Sequence, residues 1–186
     1  MQVIQKISLY EELISLPDLL TGEILNGQLY AHPRPSGKHI LVASNIGAEF
    51  HGPYQRGKDG PGGWWILQEP EVHFTLDTEV AVPDIAGWRK ERMPEIPDSH
   101  KFTTAPDWIC EVLSPSTESI DRQIKMPLYA RFGVKYLWLV HPKKRTLEAY
   151  QLTNGNWEEQ GKFLSNDTVC IEPFDSIKIS VSDLLG

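Results

Sequence analysis

Two carboxylates, Asp84 and Glu111, sit where an acid needs an explanation. Glu111 falls inside Pro106-Asp107-Trp108-Ile109-Cys110-Glu111-Val112-Leu113-Ser114-Pro115-Ser116-Thr117, an apolar strand-like run that ends in a polar turn. Asp84 falls in a second apolar run, around Val82-Pro83-Asp84-Ile85. Strand alternation puts Ile109, Glu111 and Leu113 on one face, and an ionised acid on a core-facing strand is costly unless a cation or hydrogen bonds offset it. One candidate partner is a divalent metal shared with Asp84, because hard cations such as Mg²⁺ prefer carboxylate and carbonyl oxygens and need only one or two acids. That is the chemistry of phosphate esters. The other candidate is an Arg or Lys near the sheet edge.

The two acids belong to an ordered series. Val82-Pro83-Asp84-Ile85 is followed by Glu111-Val112-Leu113-Ser114-Pro115-Ser116-Thr117 and by Asp121-Arg122 with Lys125. Tyr129 and Gly133-Val134-Lys135-Tyr136-Leu137-Trp138-Leu139-Val140 come next. Upstream lie Glu23-Ile24-Leu25-Asn26-Gly27-Gln28-Leu29 and His39. In this order the motifs resemble the Uma-two family of restriction-endonuclease-like proteins, within the PD-(D/E)XK nuclease superfamily. Glu23 resembles the acid of that family's hairpin, and His39 a histidine at the start of the following helix. The resemblance covers nearly the whole chain and is far more specific than Pro83-Asp84 alone.

The resemblance implies an α/β, restriction-endonuclease-like fold, a central mixed sheet flanked by helices. It also implies hydrolysis of DNA phosphodiester bonds with Mg²⁺, for which Mn²⁺ substitutes. Asp84 and Glu111 are then metal ligands, with the main-chain carbonyl of Val112 as a further oxygen donor. The superfamily's usual lysine, two residues after the acid, is here Leu113, which cannot protonate, bind phosphate or orient water. Lys125 matches the place on the next helix from which this family supplies the amine. Its plainer reading is a solvated helix lysine paired with Asp121 one turn away, worth about 0.3 kcal/mol. Glu23 completes the catalytic set either by holding a second metal or by orienting Lys125; a salt bridge within the sheet is the competing reading.

Other residues invite less. His39 and His73 lack acid or cysteine partners at metal spacing and read as packing or surface histidines. His141 stands where the family carries an acid. Ser114 and Ser116 have no adjacent base and read as caps or turn residues. Arg122, Lys125, Arg131 and Lys135 offer phosphate contacts, although a solvated charged face explains most of them. The tryptophans lie in strand-like surroundings and read mainly as core.

These residues need a scaffold. Leu9 to Leu16 reads as a short amphipathic helix closed by Pro17, and Thr21 to His32 as a hairpin turning at Asn26-Gly27. Ile40, Ala43, Ile46, Gly47 and Phe50 recur at helical spacing, with the helix ending near Gly52-Pro53. Arg56 to Gly63 is a glycine-rich exposed loop. Trp64 to Gln68, Val72 to Leu76 and Val80 to Trp88 read as strands, the last containing Asp84. Arg89 to Pro106 is a surface connection able to cover a substrate groove. Ile120, Ile124, Leu128 and Phe132 predict a helix that Pro127 either kinks or restarts just after Lys125. Tyr136 to Val140 and Leu147 to Leu152 pair across the Lys143-Lys144-Arg145 turn.

Length and composition suit a single globular domain over residues 1–186, which the resemblance implies is nuclease-like: 40% of residues are hydrophobic and 23% charged. No apolar run is long enough to cross a bilayer and the amino terminus lacks a secretory pattern, so no membrane partner is expected and the cytoplasm is the expected compartment. Cys110 and Cys170 read as buried free thiols. The formal net charge of −7 is unlike that of a general nucleic-acid binder. A local basic stripe or a second subunit would have to supply positive field. A homodimer would bring two sites to the two strands of DNA. Leu113 and the acidic balance also keep open a catalytically weak or inactive nuclease-like domain used for binding or assembly. A hydrolase of smaller phosphate esters is a third reading.

Overall fold

A computed structural model describes residues 7–186. Residues 1–6, which the single-domain expectation included, lie outside the described residues. The chain opens with α1, Leu9–Ile14, started by a reciprocal cap in which Ser8 Oγ accepts the Glu11 N–H and the Glu11 carboxylate accepts the Ser8 N–H. It ends at Ser15, short of Leu16, because a residue preceding proline is pushed out of the helical region. The hairpin follows as β1, Leu20–Leu25, and β2, Gln28–Pro33. Asn26 and Gly27 both have positive φ, at 53° and 73°, as a two-residue turn matched to strand twist requires.

Helix α2, Gly37–Phe50, is capped by Ser36 and does not stop at Gly52-Pro53. It runs on through a π-helical turn, His51–Gln55. After the glycine-rich loop come β3, Trp64–Gln68, and β4, Glu71–Thr75. The strand expected over Val80 to Trp88 is two strands, β5, Glu79–Ala81, and β6, Ile85–Arg89. Asp84 therefore lies in a break, not within a strand. Pro83 explains this, since it has no N–H to continue a ladder, and the chain uses the gap to pass from one sheet to another.

The remaining elements are β7, Lys101–Phe102; β8, Trp108–Val112; β9, Tyr136–His141; β10, Thr146–Thr153; and β11, Asn156–Leu164. Short strands β12, Thr168–Val169, and β13, Ile179–Ser180, pair with each other before a last helix, Val181–Leu185. The large sheet has the order β11-β10-β9-β8-β6-β3 and is antiparallel except for the β8–β9 pair. A five-stranded sheet, β2-β1-β5-β4-β7, was not anticipated as a separate layer.

The β8–β9 crossover carries the helical segment that matters for the site. It comprises one turn, Glu118–Ile120, a π-helical turn, Asp121–Lys125, and α3, Met126–Arg131. The periodicity left a kink and a restart open at Pro127. The backbone stays helical through Lys125 and Met126, so the helix does not restart; the widened turn immediately before α3 gives room where the proline ring would meet the preceding turn and needs no N–H from Pro127.

Alternation along β8 divides the core. Trp108, Cys110 and Val112 pack toward α2 with Val42, Ile46, Phe50 and Phe174. Ile109 and Leu113 pack on the other face with Leu137, Leu139, Leu128 and Tyr129, joined by Leu25, Val72 and Ala81 of the small sheet. Glu111 shares this second face. Trp64, Trp88, Trp108 and Trp138 are fully buried, in keeping with a core use. Cys110 is buried, whereas Cys170 is exposed because alternation gives the inward positions on either side of it to Val169 and Ile171. The 89–106 connection does not cover a groove. β7 adds in parallel to β4, and the Trp65 and Trp88 indoles donate to the carbonyls of Met93 and Thr104, fixing the connection to the strands. Among the described residues no helix is long and apolar enough to cross a membrane.

Candidate active site

The break after β5 does more than change sheets. The Val82 N–H donates to Glu23 Oε1 at 2.8 Å, and the Asp84 N–H donates to Glu111 Oε2 at 3.3 Å. Asp84 Oδ2 accepts the Val112 N–H at 2.7 Å, while Oδ1 lies 2.7 Å from His39 Nε2. Three residues of irregular backbone thus tie β1, β8 and the first turn of α2 to one point. A continuous strand would have spent those N–H groups on its neighbours.

Lys125 arrives from the opposite side. Its Nζ is 2.8 Å from Glu111 Oε1, 2.9 Å from Glu23 Oε1 and 3.8 Å from Asp121 Oδ1. At 3% exposure it is no solvated helix lysine. Tyr129, one turn further on, donates its hydroxyl to Glu111 Oε1 at 2.5 Å. His32 Nε2 is 3.6 Å from Glu23 Oε2. Glu23, Asp84, Glu111 and Lys125, the four residues of the expected catalytic set, line one cavity of about 270 Å³ together with His39 and Asp121.

Charge inside this cavity is unbalanced. Burial pushes the Glu111 carboxyl well above the usual range; Lys125 opposes this, while Asp121, Asp84 and Glu23 reinforce it. Burial likewise raises Asp121 to about 6 against the pull of Lys125. For Glu23 burial is outweighed by Lys125, His32 and the Val82 N–H, which hold it at about 2. Burial alone would lower Lys125, but Glu111 and Glu23 keep its ammonium charged well beyond its ordinary range. Burial and the neighbouring acids thus work against the charged form of Glu111 and Asp121, and an added cation would relieve that strain.

Among the described residues no three His, Cys, Asp or Glu side chains form a ready metal cage. The donor set still fits a hard divalent ion, since two carboxylates on one cavity wall are as many protein ligands as Mg²⁺ commonly uses. The surplus of carboxylate over ammonium favours such an ion as well.

His39 was set aside as a lone histidine, and the structure places it against Asp84. Nothing local in the sequence links residues so far apart. Tyr129 and Asp121 were legible, since both lie one helical turn from Lys125. Of the basic residues read as phosphate contacts or as a solvated charged face, Arg131 and Lys135 are solvated, and they and Arg122 each carry an acidic partner. Arg122 is bidentate to Glu148 at 2.8 and 3.1 Å, Arg131 pairs with Glu79, and Lys135 lies 3.6 Å from Asp107. His141 is buried, 3.5 Å from Glu118, away from the cavity.

Two sheets that bring together acids from β1, from the break that joins them and from β8, beside a crossover lysine, make a nuclease-like α/β fold. The crystal structure of "a putative nuclease belonging to DUF820 from Anabaena variabilis ATCC 29413" shares it, with a TM-score of 0.75 and 24% identity over 97% of this chain and 98% of that one. The family model described as "Putative restriction endonuclease" matches residues 8–182, and the chain belongs to that family, Uma2. A comparison with curated proteins finds no match.

Proposed function

We propose that this chain is a metal-dependent endonuclease that hydrolyses phosphodiester bonds in DNA, with Asp84, Glu111, Lys125 and Glu23 as its catalytic residues. The observation that carries the reading is the position of the Lys125 ammonium, between Glu23 and Glu111, in the cavity that Asp84 also lines. Asp84 and Glu111 would hold Mg²⁺ or Mn²⁺, with the Val112 carbonyl as a further donor. Such an ion lowers the pKa of bound water and draws charge from the phosphoryl oxygens. Lys125 supplies a compact ammonium to the reacting phosphate, and Glu23 holds that ammonium in place. Tyr129 fixes one oxygen of Glu111, leaving the other toward Asp84. His39 orients Asp84 from α2.

The same reading makes residues 1–186 one domain, active in the cytoplasm, with a homodimer presenting two sites. The test is cleavage of plasmid DNA in Mg²⁺ or Mn²⁺ with a chelator control. Metal-dependent nicking that disappears in Asp84→Asn supports the reading. No nicking by the parent in either metal, on plasmid or on single strands, refutes it.

A further inference from the structure

The groups that would act on a phosphate are sunk below the surface: Glu23 is 1%, Glu111 2% and Lys125 3% exposed. They line a recess to which Pro33-Arg34-Pro35 and Ser114-Pro115-Ser116 also contribute. Proline fixes the backbone at three of these positions, so both stretches are stiff. The recess, at about 270 Å³, lies at the small end of ligand sites, and a second of about 250 Å³ adjoins it through Arg34, Pro35, His39, Glu69 and Asp84, so a short run of one strand can lie along the pair. A phosphate in a duplex is held on a stiff rod between the two grooves, which resists bending toward reacting groups that lie below the surface. A phosphate on an unpaired strand can reach them.

The electrostatics point the same way. Duplex binders neutralise many phosphates at once through a basic face. Here Glu23, Glu69, Asp84, Glu111 and Asp121 line the cavity, against Arg34, Lys125, His32 and His39. Outside it, the guanidinium of Arg122 is held by Glu148 and that of Arg131 by Glu79, with Arg92 on Asp107. Those charges are already spent on carboxylates. Arg34, which also lines the recess, donates its Nε to the Asp18 carbonyl and has no carboxylate partner among the described residues, so the recess suits a substrate gripped at one or two phosphates.

We infer that the substrate is an unpaired strand of nucleic acid, and that duplex is attacked only where it is open. This rests on the nuclease reading above and narrows it. The depth of the reacting groups works against a stiff duplex, Arg34 takes the phosphate next to the scissile one, and the hydroxyls of Ser114, Ser116 and Thr117 meet the sugar-phosphate chain along the wall.

The experiment compares three labelled DNAs of about 20 nucleotides, longer than a single binding site: a single strand, its blunt duplex and the same duplex with a central unpaired bubble. Single-turnover cleavage by the full chain in Mn²⁺ should be at least tenfold faster on the single strand than on the duplex, with bubble cuts confined to the unpaired segment. Anisotropy without divalent metal gives a second readout. The salt slope of single-strand binding should be no steeper than about −3, since at most four cationic groups line the recess. Arg34→Ala should flatten that slope and weaken single-strand binding several-fold. Duplex cut as fast as single strand, or a slope near that of a multi-phosphate duplex binder, overturns the inference and leaves the nuclease reading standing. Absence of cleavage on all three DNAs overturns both.

Discussion

Replacing Lys125 by Met removes the ammonium that Glu23 and Glu111 both face while keeping an unbranched stem for the core contacts. Breaking a buried ion pair from one side costs about 3–5 kcal/mol, because the surviving charge stays buried without a partner. Glu23 gives an independent figure. It is held at about 2 against an ordinary 4.5, and that difference corresponds to roughly 3 kcal/mol of interaction favouring its charged form. His32 and the Val82 N–H supply part of this, so Lys125→Met should cost about 2–4 kcal/mol at neutral pH. The loss should shrink toward pH 5. Without the ammonium, burial raises both glutamates, and a group whose folded pKa is raised gains stability as pH falls below it. Glu23→Gln in the Lys125→Met background should recover part of the loss, a coupling that two unrelated sites would not show. Denaturant unfolding at both pH values gives the energies, and single-turnover cleavage gives the chemistry. Lys125→Arg should rescue cleavage poorly, since a guanidinium is larger and planar. Parent-like cleavage by Lys125→Met would remove Lys125 from the mechanism. A stability loss under about 1 kcal/mol, within the range of exposed pairs, would refute the buried pairing.

Asp84→Asn and Glu111→Gln, nearly equal in volume to the parent residues, should each abolish metal-dependent cleavage while circular dichroism stays native; if both cut like the parent, the site is elsewhere. Tyr129→Phe removes a hydrogen bond to a buried carboxylate, worth about 1.5–3 kcal/mol, and should slow cleavage roughly tenfold or more at saturating metal without unfolding the chain. An unchanged rate would show that Glu111 needs no anchoring. Away from the site, Arg122 and Lys162 hold Glu148 at about 2. A depressed carboxyl stabilises the fold above its unfolded value, and that contribution drains away as pH falls from about 4.5 to about 2. Glu148→Gln should lose roughly 1–2 kcal/mol at pH 7, the exposed side of Lys162 screening part of the full effect, and should flatten acid unfolding in that window. Parallel acid curves for parent and variant would contradict the assignment.

Much of the site was legible because its residues sit where local rules are strict. Asn26-Gly27 fixes a two-residue hairpin and so places Glu23, and alternation along β8 puts Glu111 on the face it occupies. Lys125 was found through the ordered motifs and not through periodicity, which treats it as one more polar helix position. The break at Val82-Pro83-Asp84 was missed because the residues around it are apolar and β-prone. Pro83 was the signal, since a proline inside an apparent strand marks an edge or an interruption. The second sheet was missed for a related reason: once β5 and β6 are read as one strand, the layers they belong to merge. His39 against Asp84 depends on how α2 packs over the break, which no local pattern encodes.

The strand break and the π-helical turn answer one physical problem from two sides. Acids crowded around a buried lysine must be held against their own repulsion. Ladder-forming backbone is poorly suited to this, because its N–H groups are already committed to neighbouring strands. At Val82 and Asp84 the chain leaves the ladder, and the freed N–H groups turn to Glu23 and Glu111. At Asp121–Lys125 the helix widens just ahead of Pro127, and its cationic end reaches the same two carboxylates. Each irregularity coincides with a proline that forbids regular pairing or a regular turn. The prolines that look like breakers in the sequence therefore mark the segments that assemble the charged centre, and Leu113, the apolar residue in the usual lysine place, is free to pack in the core with Leu128 and Leu139.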